Sequence, residues 1–191
     1  EDLSFRQWSQ VGIGLYRAQN FDEAALAFSK AHEMQPLNKE TLENLANSYY
    51  QSERFEDLAP LADTLVQRYP YETVNYNLLA NARTETGDQD GALGVLEGRE
   101  ALTFEFLRAQ LGPDGDETYS LEGTVMNKSA AGGSEVTIPV HFLSESGQVL
   151  MTEPLTLSLP AAGETAGFQV QVQSGTPIAG FRYDMAGSSG S

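Results

Sequence analysis

The stretch WSQVGIGLYRAQNFDEAALAFSKAHEMQP, residues 8–36, decides how this chain folds, because residues 42–70, LENLANSYYQSERFEDLAPLADTLVQRYP, answer it landmark by landmark. Trp8, Val11, Gly12, Leu15, Phe21, Ala24, Phe28, Ala31 and Pro36 recur 34 residues later as Leu42, Leu45, Ala46, Tyr49, Phe55, Leu58, Ala62, Leu65 and Pro70. Tyr76, Leu79, Ala80, Gly87, Ala92 and Leu96 carry the register into a third copy. A period of this length belongs to antiparallel helix pairs repeated in tandem, each with an apolar face that only a neighbouring pair buries. The units run over residues 5–38, 39–72 and 73 to about 102.

Small Gly12, Ala46 and Ala80 let two helices approach, while the large residues fill the space between stacked units. Pro36 and Pro70 end the second helices, since proline cannot continue the hydrogen-bond ladder. Pro60 falls inside the second helix of the second unit, where it removes a backbone donor and is expected to kink or loosen the first turns. The third unit has Phe104 in place of the terminal proline and Arg99 at a position that favours a small residue, so its helix is expected to hand the chain straight to a second domain.

This order of large and small positions closely resembles the tetratricopeptide repeat (TPR) family over about half of the chain. The resemblance implies a surface that binds other polypeptides, with the first helix of each unit lining a concave groove. Mapped by position, the groove residues are Arg6, Ser9, Ile13, Tyr16 and Arg17, then Glu40, Glu43, Asn47, Tyr50 and Gln51, then Val74, Asn77, Asn81, Thr84 and Glu85. Asn47 and Asn81 share one position in consecutive units, and a carboxamide both donates and accepts, so such a pair suits the backbone of an extended peptide. Tyr16 and Tyr50 likewise share a position and offer interface anchors. Some TPR proteins clamp a terminal carboxylate with lysines; Arg6 and Arg17 are present here without those lysines, so an internal segment or a folded surface is the expected ligand.

From Thr103 the period changes to two. Val136, Ile138, Val140 and Phe142 alternate with Thr137, Pro139 and His141, and Phe168, Val170 and Val172 alternate with glutamines. Alternation of this kind marks half-buried antiparallel strands. Glycine-containing turns near residues 112–115, 131–133, 146–147, 160–163 and 174–175 separate six or seven of them, which predicts a β-sandwich. Residues 121–127, a strand ending near Phe142, Ser146-Gly147-Gln148-Val149 and residues 159–165 resemble the bacterial FxLYD-type immunoglobulin-like domains. That resemblance implies an address outside the bacterial inner membrane: periplasmic, surface or secreted. The expected fold is therefore two-domain, all-α plus all-β. An α-solenoid of three TPR helix pairs over 1–102 precedes an antiparallel Ig-like β-sandwich over 103–185 and a Gly/Ser tail at 186–191.

Composition narrows the function. The formal charge is −16, with −9 in residues 1–102 and −7 in residues 103–191, which argues against nucleic acid as a partner. The absence of cysteine removes disulfides, thiolate nucleophiles and sulfur-ligated metals. No apolar run is long enough to span a membrane as a helix. The chain starts at Glu1 without a methionine, which suits a mature product after signal removal and equally a trimmed chain. Of the two histidines, His32 sits in a repeat helix and His141 on the polar parity of a strand, and neither announces a catalytic set. Asp88-Gln89-Asp90-Gly91 and Asp114-Gly115-Asp116-Glu117 lack the spacing of a calcium loop and read as turns. Asn127-Lys128-Ser129 matches a glycosylation acceptor only by chance of composition at a turn. No enzyme, cofactor or metal is expected.

Two functional readings remain open at this level. One is an adaptor or scaffold whose groove binds a peptide segment or protein surface. The other is a structural subunit whose copies join head to tail into oligomers or filaments, with the Gly/Ser tail as one candidate connector.

Overall fold

A computed structural model describes residues 3–185. Six helices precede six strands. Helices α1 (Phe5–Arg17), α3 (Lys39–Gln51) and α5 (Thr73–Glu85) begin 34 residues apart, and α2 (Phe21–Met34), α4 (Phe55–Arg68) and α6 (Gln89–Glu100) repeat the same interval. The expected helix pairs are thus present as three hairpins. Helix α4 runs through Pro60 without a break. The Gly/Ser tail expected at 186–191 lies outside the described residues.

Each hairpin turns by one device. Gln19, Glu53 and Gly87 occupy equivalent positions and all take left-handed backbone, with φ of 62°, 58° and 87°. Asn20 N donates to Leu15 O at 2.9 Å, Arg54 N to Tyr49 O at 2.9 Å and Asp88 N to Arg83 O at 2.8 Å. This is the six-to-one closure of a Schellman cap, which satisfies a carbonyl that the helix end would leave bare. Helix starts are capped as well. Ser4 and Gln7 form a reciprocal capping box on α1, Asn38 accepts from Thr41 N at 2.9 Å on α3, and Asp88 accepts from Gly91 N at 3.0 Å on α6.

Inside the hairpins the small positions are matched to their neighbours. The ring of Phe28, 1% exposed, lies so close to Gly12 that a Cβ there would meet ring carbons at 2.7–2.8 Å. In the second and third units the equivalents of Gly12 are Ala46 and Ala80, and those of Phe28 are the smaller Ala62 and Leu96. Volume is exchanged between the two positions, as close packing requires. Ala24, Ala25 and Phe28 of α2 form a cluster with Leu45 of α3, flanked by Ile13, Leu15, Tyr16, Tyr49 and Leu61, and so join the first unit to the second.

The described residues divide into two compact units, residues 3–66 with 74–96, and residues 67–73 with 97–185. The second contains two three-stranded antiparallel sheets. Strands β1 (Phe104–Pro113), β2 (Thr118–Asn127) and β5 (Thr165–Gln173) form one, in the order β1-β2-β5. Strands β3 (Glu135–Leu143), β4 (Val149–Ser158) and β6 (Gly180–Tyr183) form the other, in the order β4-β3-β6. Ile138, Val140 and Phe142 are buried and Thr137 is exposed, as the alternation requires. Gly123 is needed where it stands, because a Cβ would meet Phe168 Cζ at 2.3 Å and Arg108 O at 2.4 Å. Leu107 forms an irregularity in the β1–β2 register and is 55% exposed.

An aromatic core fills this second unit. Tyr71 stacks on Phe104 with centroids 4.9 Å apart, Phe106 meets Tyr183 at 5.2 Å and Phe168 at 4.8 Å, and Tyr69 meets Phe181 at 5.3 Å. The segment 67–73 belongs to this unit through those rings and through the bond from Phe106 N to Tyr71 O at 2.7 Å. Burial first, then the nearby Glu72 and Tyr69, push the Tyr183 phenol well above its ordinary range.

Candidate functional site

The candidate groove residues lie on α1, α3 and α5, at matching positions. Their environments differ. Arg6 and Arg17 are exposed, and the Ser9 hydroxyl donates to Phe5 O at 2.9 Å within its own helix. Ile13 and Tyr16 are half-buried against the Ala24, Ala25, Phe28 and Leu45 cluster, so they share in the junction between units. Tyr16 stands edge-on to Phe21 with centroids 5.2 Å apart, and Tyr50 repeats this with Phe55 at 6.3 Å. The recurrence of tyrosine at 16 and 50 therefore has a packing cause inside each hairpin. At this position the third unit has exposed Thr84, whose hydroxyl donates to Ala80 O at 2.9 Å.

Polar residues dominate the rest of the surface. Glu43 is half-buried and accepts from Lys39 Nζ at 2.5 Å, one helical turn away. Glu40, Gln51, Val74, Asn77 and Glu85 are exposed. Asn47 is half-buried; its Nδ2 donates to Glu43 O at 2.8 Å, and its Oδ1 has no partner among the described residues. Asn81 is exposed and makes no side-chain hydrogen bond to any described residue. One recurring position thus presents an open carboxamide acceptor at Asn47 and both donor and acceptor at Asn81.

Three clusters were not foreseen. Arg54 lies over the Tyr49 ring at 4.6 Å from its centroid and pairs with Asp57 at 2.6 Å. That carboxylate holds the guanidinium proton more tightly, and burial raises the Tyr49 phenol. In the second unit, His141 Nδ1 lies 2.7 Å from Thr152 Oγ1 and His141 Nε2 lies 2.8 Å from Asp184 Oδ2. Arg182 Nη1 donates to the other Asp184 oxygen at 2.6 Å. The hydrogen bond from His141, followed by that from Arg182, holds the Asp184 carboxyl below its usual range. Strand register places His141 directly opposite both Thr152 and Arg182, so the row is a cross-strand ladder tying β6 to its sheet. Alternation put His141 on the polar parity of its strand, but only the register identifies Thr152 and Arg182 as its partners, and Asp184 lies just past the strand.

The third cluster covers a face of β1-β2-β5. Gln169 Nε2 donates to Ser120 Oγ at 2.8 Å and Glu122 Oε1 at 2.9 Å, Gln171 to Asp114 Oδ2 at 2.6 Å, and Arg108 to Gln110 at 2.5 Å. A shallow concavity of about 370 Å³ lies between Arg108, Asp114 and Glu122. Asn127 is fully buried and structural: Nδ2 donates to Ala130 O at 2.9 Å and Pro160 O at 2.7 Å, and Oδ1 accepts from Ala130 N at 2.8 Å. Among the described residues no group of three or more His, Cys, Asp and Glu is placed to hold a metal, and no helix is long and apolar enough to cross a membrane.

No family model matches the chain, and no curated protein sequence matches it either. Among solved structures it is similar to a mutant of MamA, with 18% identity and a TM-score of 0.48 over 51% of this chain and 53% of MamA. It is also similar to PcrH in complex with the chaperone binding region of PopB, with 19% identity and a TM-score of 0.47 over 54% of this chain and 86% of PcrH. The chain thus spans about half the length of MamA. The period, helix bounds and turn geometry define a chain of three helix hairpins repeated at 34 residues, followed by strands in two antiparallel sheets.

Proposed function

We propose that this chain is a non-enzymatic interaction scaffold whose α1, α3 and α5 surface binds an extended segment or surface of another protein. The observation that carries the reading is the recurrence of Asn47 and Asn81 at one position of consecutive first helices, each with carboxamide atoms that no described residue engages. Unengaged side-chain amides clasp a peptide backbone without reading its side chains, because every peptide unit offers one donor and one acceptor. In this reading the second unit is an immunoglobulin-like sandwich of the FxLYD type, and the protein works outside the inner membrane of a bacterium. The FxLYD resemblance supports that address, and the absence of cysteine is compatible with it. His141, Thr152 and Asp184 serve as a ladder, not as a catalytic set, since Arg182 already holds the carboxylate.

The test is the double substitution Asn47→Ala with Asn81→Ala. Binding of the partner falls at least tenfold while the melting temperature stays within about 2 °C, because both residues lie on the helix surface. Unchanged binding by the double variant would sink the reading.

A further inference from the structure

The repeat interface that joins the first two units has both of its halves left open elsewhere in the helical unit. Leu45 of α3 is 4% exposed because it sits in one cluster with Ala25 of α2, itself 1% exposed. Leu79, the equivalent of Leu45 in the third unit, is 2% exposed, whereas Val11, its equivalent in the first, is 40% exposed. Conversely, the residue equivalent to Ala25 in the third unit is Leu93, and it is 59% exposed. One end of the repeat series therefore carries the inserting half of the junction and the other end carries an apolar residue at the receiving half.

Charge follows the same division. Helix α1 contains Arg6 and Arg17 and no acidic residue, in a chain of net charge −16. Glu85, Asp88 and Asp90, all exposed, crowd the end of α5 and the start of α6. Arg6 and Arg17 lie well round α1 from Val11, and Arg83 stands 3.9 Å from Asp88, so the unlike charges of the two ends flank the apolar contact and orient it from its rim.

We propose that the Val11 face of α1 docks on the Leu93 face of α6 in a second copy of this chain, head to tail, as α3 docks on α2 within one copy. The contact is heterologous, so each added copy leaves one face of each kind open and the association propagates. It is weaker than the internal junction, since Asn81 and Thr84 stand where Ile13 and Tyr16 support the first one. The receiving half borders the Asn81 position, but its apolar contacts are Val11 and Leu93, and substituting these two leaves both asparagines in place, so the two readings fail separately.

Light scattering across a concentration series tests it with Val11→Asp, Leu93→Asp and their mixture. The native chain is expected to rise above 20.7 kDa with concentration, and less steeply in added salt. Each single variant stays monomeric, because each lacks one half of the contact. An equimolar mixture forms dimers and nothing larger, since one intact half of each kind remains; the same dimer shows that both variants are folded. A native chain that stays at 20.7 kDa at every concentration overturns the proposal. So does a monomeric mixture, or self-association of Leu93→Asp alone, which would point to a symmetric contact between two α1 helices.

Discussion

Gly12→Ala tests whether the hairpin core is set by volume exchange. In an exposed helix interior this change stabilises by about 1 kcal/mol, because alanine has less backbone entropy to lose. At Gly12 the new Cβ would lie 2.7–2.8 Å from three carbons of the Phe28 ring, against a favourable carbon separation of about 3.5–4.0 Å. The ring has to retreat by roughly 1 Å inside a packed cluster, which costs about 1–3 kcal/mol. The net expectation is a loss of about 1 kcal/mol. In a Phe28→Leu background, where the third unit already pairs Ala80 with Leu96, the clash is gone and the same substitution should gain about 1 kcal/mol. Urea unfolding followed by the fluorescence of Trp8, the sole tryptophan and a neighbour on the same helix, reads both backgrounds. Stabilisation by Gly12→Ala with Phe28 in place would refute the packing argument.

Three further outcomes are expected. Glu53→Gly should stabilise by about 0.5–1 kcal/mol, read as a rise in urea midpoint, because Glu53 holds φ of 58° at a turn where the third unit has glycine. Asn127→Ala should destabilise by roughly 2–4 kcal/mol in thermal or urea unfolding, since it strips three hydrogen bonds from the fully buried anchor between the 127–130 turn and Pro160. Asp184→Asn should change the acid limb of stability: the native carboxyl is held below its unfolded value, so its contribution is complete above the ordinary aspartate pKa of about 3.9 and disappears as pH falls through the folded pKa. The gap in urea midpoint between native and variant chains should therefore narrow from pH 6 to pH 3; a constant gap would exclude the His141 and Arg182 contacts as its source.

Much of the helical architecture was legible because one signal, a 34-residue period, fixes helix starts, turns and the small positions together. The turn device was legible only at Gly87. Gln19 and Glu53 adopt the same left-handed backbone without the residue that advertises it. Tyr16 and Tyr50 repeated for a reason the period alone does not distinguish from ligand binding, and their edge-on contacts with Phe21 and Phe55 supply it. Strand alternation located the buried rows, as at Ile138, Val140 and Phe142. Register was out of reach, and with it the His141 ladder, because sequence parity says which face a residue takes and not what stands opposite. The grouping of residues 67–73 with 97–185 was hidden for a related reason: Tyr69 and Tyr71 look like ordinary residues of an interhelix turn until their partners Phe104 and Phe181 are known.

The central claim, binding of polypeptide at the recurring asparagine position, is tested most directly by selecting peptides from a random display library on the native chain and titrating the winners calorimetrically against native and Asn47→Ala, Asn81→Ala proteins. The account predicts peptides of varied side chains that bind the native chain and lose at least tenfold in affinity for the double variant, while both proteins unfold at the same urea concentration. Selected peptides that bind the two proteins equally would contradict it.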